Sequence, residues 1–389
     1  EYKIFDLKPR HWRPVNSAFL LKMMDYTLTG KSSDAKMSRN LNRYTYKKLL
    51  EIFPSFPYFS TPFESTNGLP KKEKSNLPDF NPDIFSVEEL GKYVEPDRGN
   101  GSNNWAVNGK KSTTGSPIVA NDTHLTYRLP NLWYEIQLIT PNQNVYGVSI
   151  PGAPGVTLGF NNNISWAVTN ATADTFDWYR VNGEVVKHHK YEINVRDQGV
   201  LKEKFGQSSL GNVVYEKSDD RVLTDSLVRG FALKWAAQEA SNELGVFLKL
   251  NRSQNYAECT DSLKNYESPS QNFICADRFG KMGIIHTGKI PVKKLGQGSY
   301  VMNESLDAWK KFIPFLELPR SENPKLNFVF SANQNPTTKD YPNYLGNEYY
   351  SNFRAREISE NLTKAKAVSP QDMMNLQNDV HGILPRELR

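Results

Sequence analysis

The sequence predicts an α+β fold in which largely antiparallel sheets are covered by helices, and three observations lead there. Between residues 102 and 182, short runs rich in Val, Ile, Tyr and Thr ("SPIVAND", "WYEIQLIT", "VYGVSI", "VTLGF", "NISWAVT") are separated by turn residues, as in an antiparallel sheet. The order along the chain is helices, a long connection, many strands, then helix and strand in alternation, which does not read as a doubly wound parallel sheet. The 389 residues are 38% hydrophobic and 12% aromatic, and at this length roughly three-quarters of the unfolded surface can be buried.

The elements follow in order. "HWRPVNSAFLLKMMDYTLTG" (11–30) has a Trp-x-Pro start, a cap at Asn16 or Ser17, and apolar residues at helical spacing up to Gly30. "YTYKKLLEIF" (44–53) is a second helix. Residues 54–101 are rich in Pro, Ser, Asn and Gly and read as a long exposed connection or processed segment. After the strand-rich region, "LTDSLVRGFALKWAAQEA" (223–240) has helical periodicity with Thr224 as its N-cap. "QNFICADRFGKMGIIHTG" (271–288) is a hairpin turning at Arg278–Lys281. "SPQDMMNLQNDVHGIL" (369–384) opens with Ser369 as cap, Pro370 in the first turn and Asp372 at the capping-box position.

The formal net charge of +6 comes from the first 50 residues, which hold 11 Lys+Arg against 4 Asp+Glu. Those basic residues are scattered among Leu, Met, Phe and Tyr, so a solvated helical surface is expected rather than a nucleic-acid face. Mean hydropathy is −0.61, and no stretch approaches the ~18 consecutive apolar residues of a membrane span. Cys259 and Cys275 lie in apolar-patterned stretches. Buried free thiols are expected there, with a single disulfide as the alternative, and their spacing fits no zinc or redox motif.

Several kinds of chemistry are excluded. The six histidines form neither HExxH nor another zinc spacing. In "GKKST" (109–113) the upstream glycine falls at the wrong position for a phosphate loop and a second lysine intrudes. Ser102 is in no GxSxG elbow, because Asn104 stands where the second glycine would be. A serine can still be activated without histidine if it begins a chain. An α-amino group has a pKa of about 7.7–8.0 and can take the hydroxyl proton near neutral pH. For Ser102 this requires the Gly101–Ser102 bond to be cut, and glycine before it tolerates the close approach of a nucleophile.

Five blocks in order turn that possibility into a resemblance. "GSNNWAVNGKKS" (101–112) resembles the processing site of the penicillin acylase family, N-terminal-nucleophile amidohydrolases made by autocatalytic cleavage. "VANDTHL" (119–125), "PGVTLGFNNNISWAVTNATADTFDWY" (154–179), "FSANQNPTTKDYP" (330–342) and "FRAREI" (353–358) resemble further blocks of that family, which includes acyl-homoserine lactone acylases. The resemblance implies a four-layer αββα sandwich. It divides the chain into 1–101, the end of an α-subunit region plus processed linker, and 102–389, the start of a β-subunit region, which together form an α/β heterodimer.

Carried over by position, the resemblance implies Ser102 as nucleophile and its freed amine as base. Asn335, the second asparagine of "ANQN", would aim its side-chain amide at the oxyanion, with the Asn170 backbone N–H as second donor. His124 would contact the nucleophile's amine, and Arg354 would brace the oxyanion asparagine, with Arg356 as the competing register. Leu125 and Leu158 fall where relatives line the acyl pocket. "DTFD" (174–177) matches a calcium loop in which Asp174 and Asp177 offer carboxylates and Phe176 a carbonyl, hard oxygen ligands suited to Ca²⁺; Glu348 is a further candidate. No organic cofactor, nucleic acid or membrane partner is expected, and the resemblance implies a periplasmic or secreted protein acting on a small N-acyl compound. The alternative is a non-catalytic ligand-binding protein on the same scaffold, uncut, because an internal Ser102 has no base.

Overall fold

A computed structural model of the chain describes residues 2–29, 33–54, 60–64, 82–85, 101–181, 187–213, 230–303 and 309–387. Its centre is a short sheet of three antiparallel strands. Strand β1 (Gly101–Val107) lies between β2 (Ile118–His124) and β16 (Phe328–Ser331). Ser102 is opposite Thr123, and Gly101 opposite His124. Alternation along β1 sends Trp105 and Val107 to one face, and Ser102, Asn104 and Ala106 to the other.

The face bearing Ala106 packs on a second sheet of seven antiparallel strands. Their order is β15 (Arg320–Glu322), β13 (Met282–Thr287), β12 (Gln271–Asp277), β6 (Ile164–Asn170), β5 (Leu158–Asn161), β4 (Gln143–Ser149) and β3 (Tyr134–Thr140). Small residues at the contact, Ala106, Ala167 and Ala276, interleave with Ile274, Ile284 and Val329. They let the sheets approach closely while filling the space between them.

Helices cover both outer faces. Helices α6 (Phe353–Lys364) and α7 (Pro370–Gln377) pack Ala355, Ile358, Leu362 and Met373 onto Trp105, Val107 and Phe330. Helices α4 (Glu243–Leu250) and α5 (Tyr256–Ser262) pack Val246, Phe247, Leu250 and Cys259 onto Trp166, Phe273 and Cys275. The layers therefore run α, β, β, α, as expected. Local chemistry explains where the helices begin. Asn242 and Asn255 accept from the N–H groups of Gly245 and Glu258, and Ser369 with Asp372 forms the expected capping box.

A third sheet joins β14 (Met302–Asn303), β7 (Phe176–Arg180), β11 (Phe231–Trp235), β10 (Gly211–Val213), β9 (Gly199–Ser208) and β8 (Lys187–Val195). Helix α2 (Asp34–Asn40), which the sequence pattern did not single out, and α3 (Tyr46–Ile52) lay Met37 and Leu49 on it beside Tyr179 and Met302. Helix α1 (Pro14–Thr29) starts at its proline. Asn16 and Ser17 therefore lie in its first turn rather than at its cap, and Asn16 Oδ1 accepts from the Arg13 N–H at 2.8 Å.

Three expectations are corrected. Residues 231–235 are a strand, β11, paired with β7 from Phe231 opposite Arg180 to Trp235 opposite Phe176. That pairing buries Phe231, Ala232 and Leu233 and overrides local helical periodicity; Thr224 lies outside the described residues. The connection over 54–101 is not wholly exposed, because Phe63 is buried between the two central sheets and Phe85 against the third, while much of it lies outside the described residues. The cysteines are not free thiols: Cys259 on α5 and Cys275 on β12 form a disulfide, pinning helix to sheet inside the core they share. With the bridged positions 16 apart in sequence, replacing both cysteines by alanine is expected to cost about 3 kcal/mol, read as a lowered denaturant midpoint.

Candidate active site

The site grows from the first two residues of β1. Ser102 is buried, 6% exposed, and its nitrogen, a peptide N–H in the intact chain, donates to Asn333 Oδ1 at 2.8 Å. Asn333 Nδ2 points back at Ser102 Oγ at 3.1 Å and also donates to the Asn170 carbonyl at 2.8 Å. The Asn170 N–H faces the same Oγ at 3.4 Å. Two N–H donors thus converge beside the hydroxyl, where a carbonyl attacked by that oxygen would develop negative charge.

Asn333 follows β16 in the left-handed region, with φ +65°. Among residues with a Cβ, asparagine tolerates this best, and the turn swings its side chain back to the edge of β1. A buried network holds the turn. The Asn333 N–H donates to Ser331 Oγ at 3.3 Å, and Asn272 Nδ2 donates to Ser331 Oγ and Thr169 Oγ1. Asn272 Oδ1 must therefore accept from His286 Nδ1 at 2.8 Å, so His286 carries its proton on Nδ1. Burial lowers the His286 pKa to about 3. The unfolded chain takes up this proton near pH 6.5, the folded chain only near 3. The stability His286 contributes is complete above about pH 6.5 and is lost as pH falls toward 3. Denaturant midpoints measured from pH 7 to 4 are expected to fall more steeply for the native chain than for His286→Gln.

Arg354, at the start of α6, ties these groups together. Its Nη1 donates to the Ser102 carbonyl at 2.9 Å and to Asn103 Oδ1 at 2.5 Å, and its Nη2 donates to Asn333 Oδ1 at 3.0 Å. Burial draws its pKa down from the ordinary arginine value, and the guanidinium stays charged at any physiological pH. Arg356 turns away to Glu387, which resolves the register. His124 lies beside Gly101: its Nε2 is 3.3 Å from Asn103 Nδ2 and 3.1 Å from Asp122 Oδ2. A Cβ on Gly101 would come within 3.0 Å of Arg354 Nη2 and 3.4 Å of His124 Nδ1, so glycine suits this crowded bond.

Asn335 is not at the site. Its Oδ1 accepts from the N–H and hydroxyl of Thr337, both at 2.9 Å, and so holds the turn after Pro336. The first asparagine of "ANQN", not the second, meets Ser102. The Asn170 side chain has its own task, donating to the Leu28 carbonyl at the end of α1 at 3.2 Å.

A cavity of about 370 Å³ opens onto Ser102. Leu125 and Leu158 line it as expected, with Met24 and Leu28 of α1 and Phe247 and Tyr266 from the α4 side. Its size and apolar walls suit a hydrophobic group of a small ligand.

The whole sequence, residues 1–389, matches the Penicillin amidase family. The chain belongs to the penicillin amidase family. Acyl-homoserine lactone acylase QuiP of Pseudomonas aeruginosa is 25% identical over 98% of this chain and 48% of its own length. Penicillin acylase 2 proenzyme of Pseudomonas sp. strain SE83 is 23% identical over 75% of this chain and 39% of its own. The chain thus spans about half the length of the curated relatives it matches. The thermostable penicillin G acylase from Alcaligenes faecalis superposes with a TM-score of 0.61 at 19% identity, covering 70% of this chain and 51% of that one. That likeness identifies the fold as the N-terminal-nucleophile hydrolase type.

Asp174 and Asp177 come together as expected of a family calcium loop, but around a different cation. Lys293 Nζ lies 2.9 Å from Asp174 Oδ1 and 2.8 Å from Asp177 Oδ1. Phe176 begins β7 with its ring in the core. Glu348 accepts from the Ser33 N–H at 2.6 Å and from its hydroxyl, so it tethers the start of α2. Among the described residues no group of three or more His, Cys, Asp or Glu side chains is arranged to hold a metal. These side chains as placed do not fit Ca²⁺, which takes six to eight oxygen ligands.

Sequence reasoning missed Asn333, Asn103 and the pocket walls from α1 and α4. Asn333 stands two residues before Asn335 in the same "ANQN" segment. Lys293 carries no motif at all.

Proposed function

We propose that this protein is an N-acyl amide hydrolase that frees Ser102 by cutting its own Gly101–Ser102 bond. The convergence of Asn333 Nδ2 and the Asn170 N–H on Ser102 Oγ carries the reading. In processing, Ser102 Oγ attacks the Gly101 carbonyl, the peptide nitrogen leaves as an amine, and water hydrolyses the resulting ester. In turnover, that amine takes the Oγ proton while Oγ attacks the substrate's amide carbonyl. The oxyanion is met by the Asn333 amide and the Asn170 N–H. The C–N bond breaks, the proton passes to the leaving amine, and water resolves the acyl-enzyme. His124, beside Gly101, would border the new N-terminus. The apolar cavity favours a hydrophobic acyl group, in a β-lactam amide, an N-acyl homoserine lactone or an acylated peptide or amino acid.

Helix α1 precedes the cut and walls the pocket, which supports an α/β heterodimer in which both products stay together. A periplasmic or secreted location accords with the Cys259–Cys275 bridge, because disulfides persist in oxidising compartments. No helix of the described residues is long and apolar enough to cross a membrane.

The testing experiment is intact mass and N-terminal sequencing of the purified protein, followed by acyl amides of graded chain length. A chain beginning Ser-Asn-Asn-Trp that releases amine from them is expected. A folded, uncut chain that binds acyl compounds without turnover would establish the binding-protein alternative. In the cut enzyme, Arg354→Lys cannot span Ser102, Asn103 and Asn333 with one planar fork. It is expected to lower kcat about 10–100-fold, with little change in the thermal midpoint.

A further inference from the structure

We propose that Lys293 is a built-in counter-ion for Asp174 and Asp177, an ammonium group of the chain standing where a divalent metal would sit, so that the fold does not depend on calcium. Four observations carry this. The lysine side chain is 1% exposed and reaches both carboxylates at hydrogen-bond distance. Asp177 Oδ2 is taken by Trp309 Nε1 at 2.5 Å. The Lys293 ammonium lies 5.5 Å from the centroid of the Trp309 ring, a surrounding suited to an organic cation rather than to a hard metal ion.

The fourth observation is the backbone at Gly298. With φ +90°, it closes over the cluster so tightly that a Cβ would lie 2.3 Å from Asp174 Oδ2, 2.5 Å from Lys293 Nζ and 2.6 Å from Asp177 Oδ1. The volume beside the carboxylates is filled by protein.

The position of the pair gives it a task. Asp174 lies in the connection from β6 to β7, four residues after Asn170, whose N–H faces Ser102 Oγ. The Asp174 N–H donates to the Leu345 carbonyl at 2.8 Å, and the Ala171 N–H to the Ser270 carbonyl at 3.1 Å. The lysine thus fastens the far end of the segment that carries the Asn170 N–H.

The test uses the isolated protein. Metal content after dialysis is measured by plasma mass spectrometry, and thermal unfolding is followed with excess EGTA and with added calcium. Calcium well below one per chain and a midpoint moving by less than about 1 °C between the two conditions are expected. Stoichiometric calcium surviving dialysis, or a midpoint that falls several degrees in EGTA, would overturn the proposal. Lys293→Ala leaves Asp177 and the partly buried Asp174 without their counter-ion and is expected to lower the midpoint by roughly 5–10 °C; an unchanged midpoint would also overturn it. If that variant does not fold, the metal content and EGTA response of the native protein still decide. None of these readouts involves turnover, so they are independent of the reading of Ser102.

Discussion

Ser102→Ala is expected to leave the chain uncut and to remove amide turnover, a loss on the order of 10⁴–10⁶-fold in kcat. Both consequences come from one atom. Ser102 Oγ is the nucleophile for the Gly101–Ser102 bond and for the substrate, and an uncut serine has an amide nitrogen in place of a base. The variant should still fold. It gives up two contacts to Oγ, from the Asn170 N–H and Asn333 Nδ2, at about 1 kcal/mol each, and Asn333 Nδ2 keeps the Asn170 carbonyl. Intact mass reports the cutting, and amine release from an acyl amide reports the turnover. Ser102→Cys is the companion variant: a thiol keeps a nucleophile at the same place, so some cutting should persist. A Ser102→Ala protein that still yields a Ser102-independent cut at residue 101, or still hydrolyses acyl amides, would sink the mechanism.

How much of this could be read beforehand depended on the range of the interaction. The capping box at Ser369 and Asp372 and the hairpin at 271–288 depend on neighbours within a few residues, and both are present. The blocks around Ser102, Asn170 and Arg354 lie far apart in sequence, and they were assembled through family resemblance rather than through periodicity. Where no local rule applied, reading failed. "FALKW" has helical spacing, yet its strand character comes from pairing with β7, some fifty residues earlier. The cysteines gave no sign that one would sit on a helix over the strand bearing the other. Lys293 meets Asp177 across 116 residues of chain, and two adjacent lysines, Lys293 and Lys294, before a glycine-containing turn carry no pattern that names which of them is buried or what it pairs with. The two asparagines of "ANQN" are harder still. They are chemically identical, and what separates them is the backbone: a left-handed φ at Asn333 aims its amide at β1, while Asn335 folds back on Thr337.

That difference supports the second large effect. Asn333→Ala is expected to reduce kcat by about 10²–10³-fold, the usual loss on removing one oxyanion donor, whereas Asn335→Ala should stay within a few-fold of the native rate. Asn335 contributes to stability instead. Losing its two hydrogen bonds from Thr337 should cost about 1–3 kcal/mol, read as a lower denaturant midpoint. The two variants therefore move opposite readouts, and the comparison does not rest on a loss of activity alone. Asn333→Asp sharpens it, because the carboxylate keeps the shape and the contact with Arg354 but replaces the donor facing Ser102 Oγ with an acceptor. It should be at least as damaging to kcat as alanine. Asn333 also holds the Ser102 N–H in the intact chain, so its variants should slow the cut as well as the turnover, and intact mass over time separates the two steps. If Asn335→Ala lost the rate while Asn333→Ala kept it, the donor would belong to a rearranged site in the mature enzyme, and the asparagine chosen from sequence would be restored.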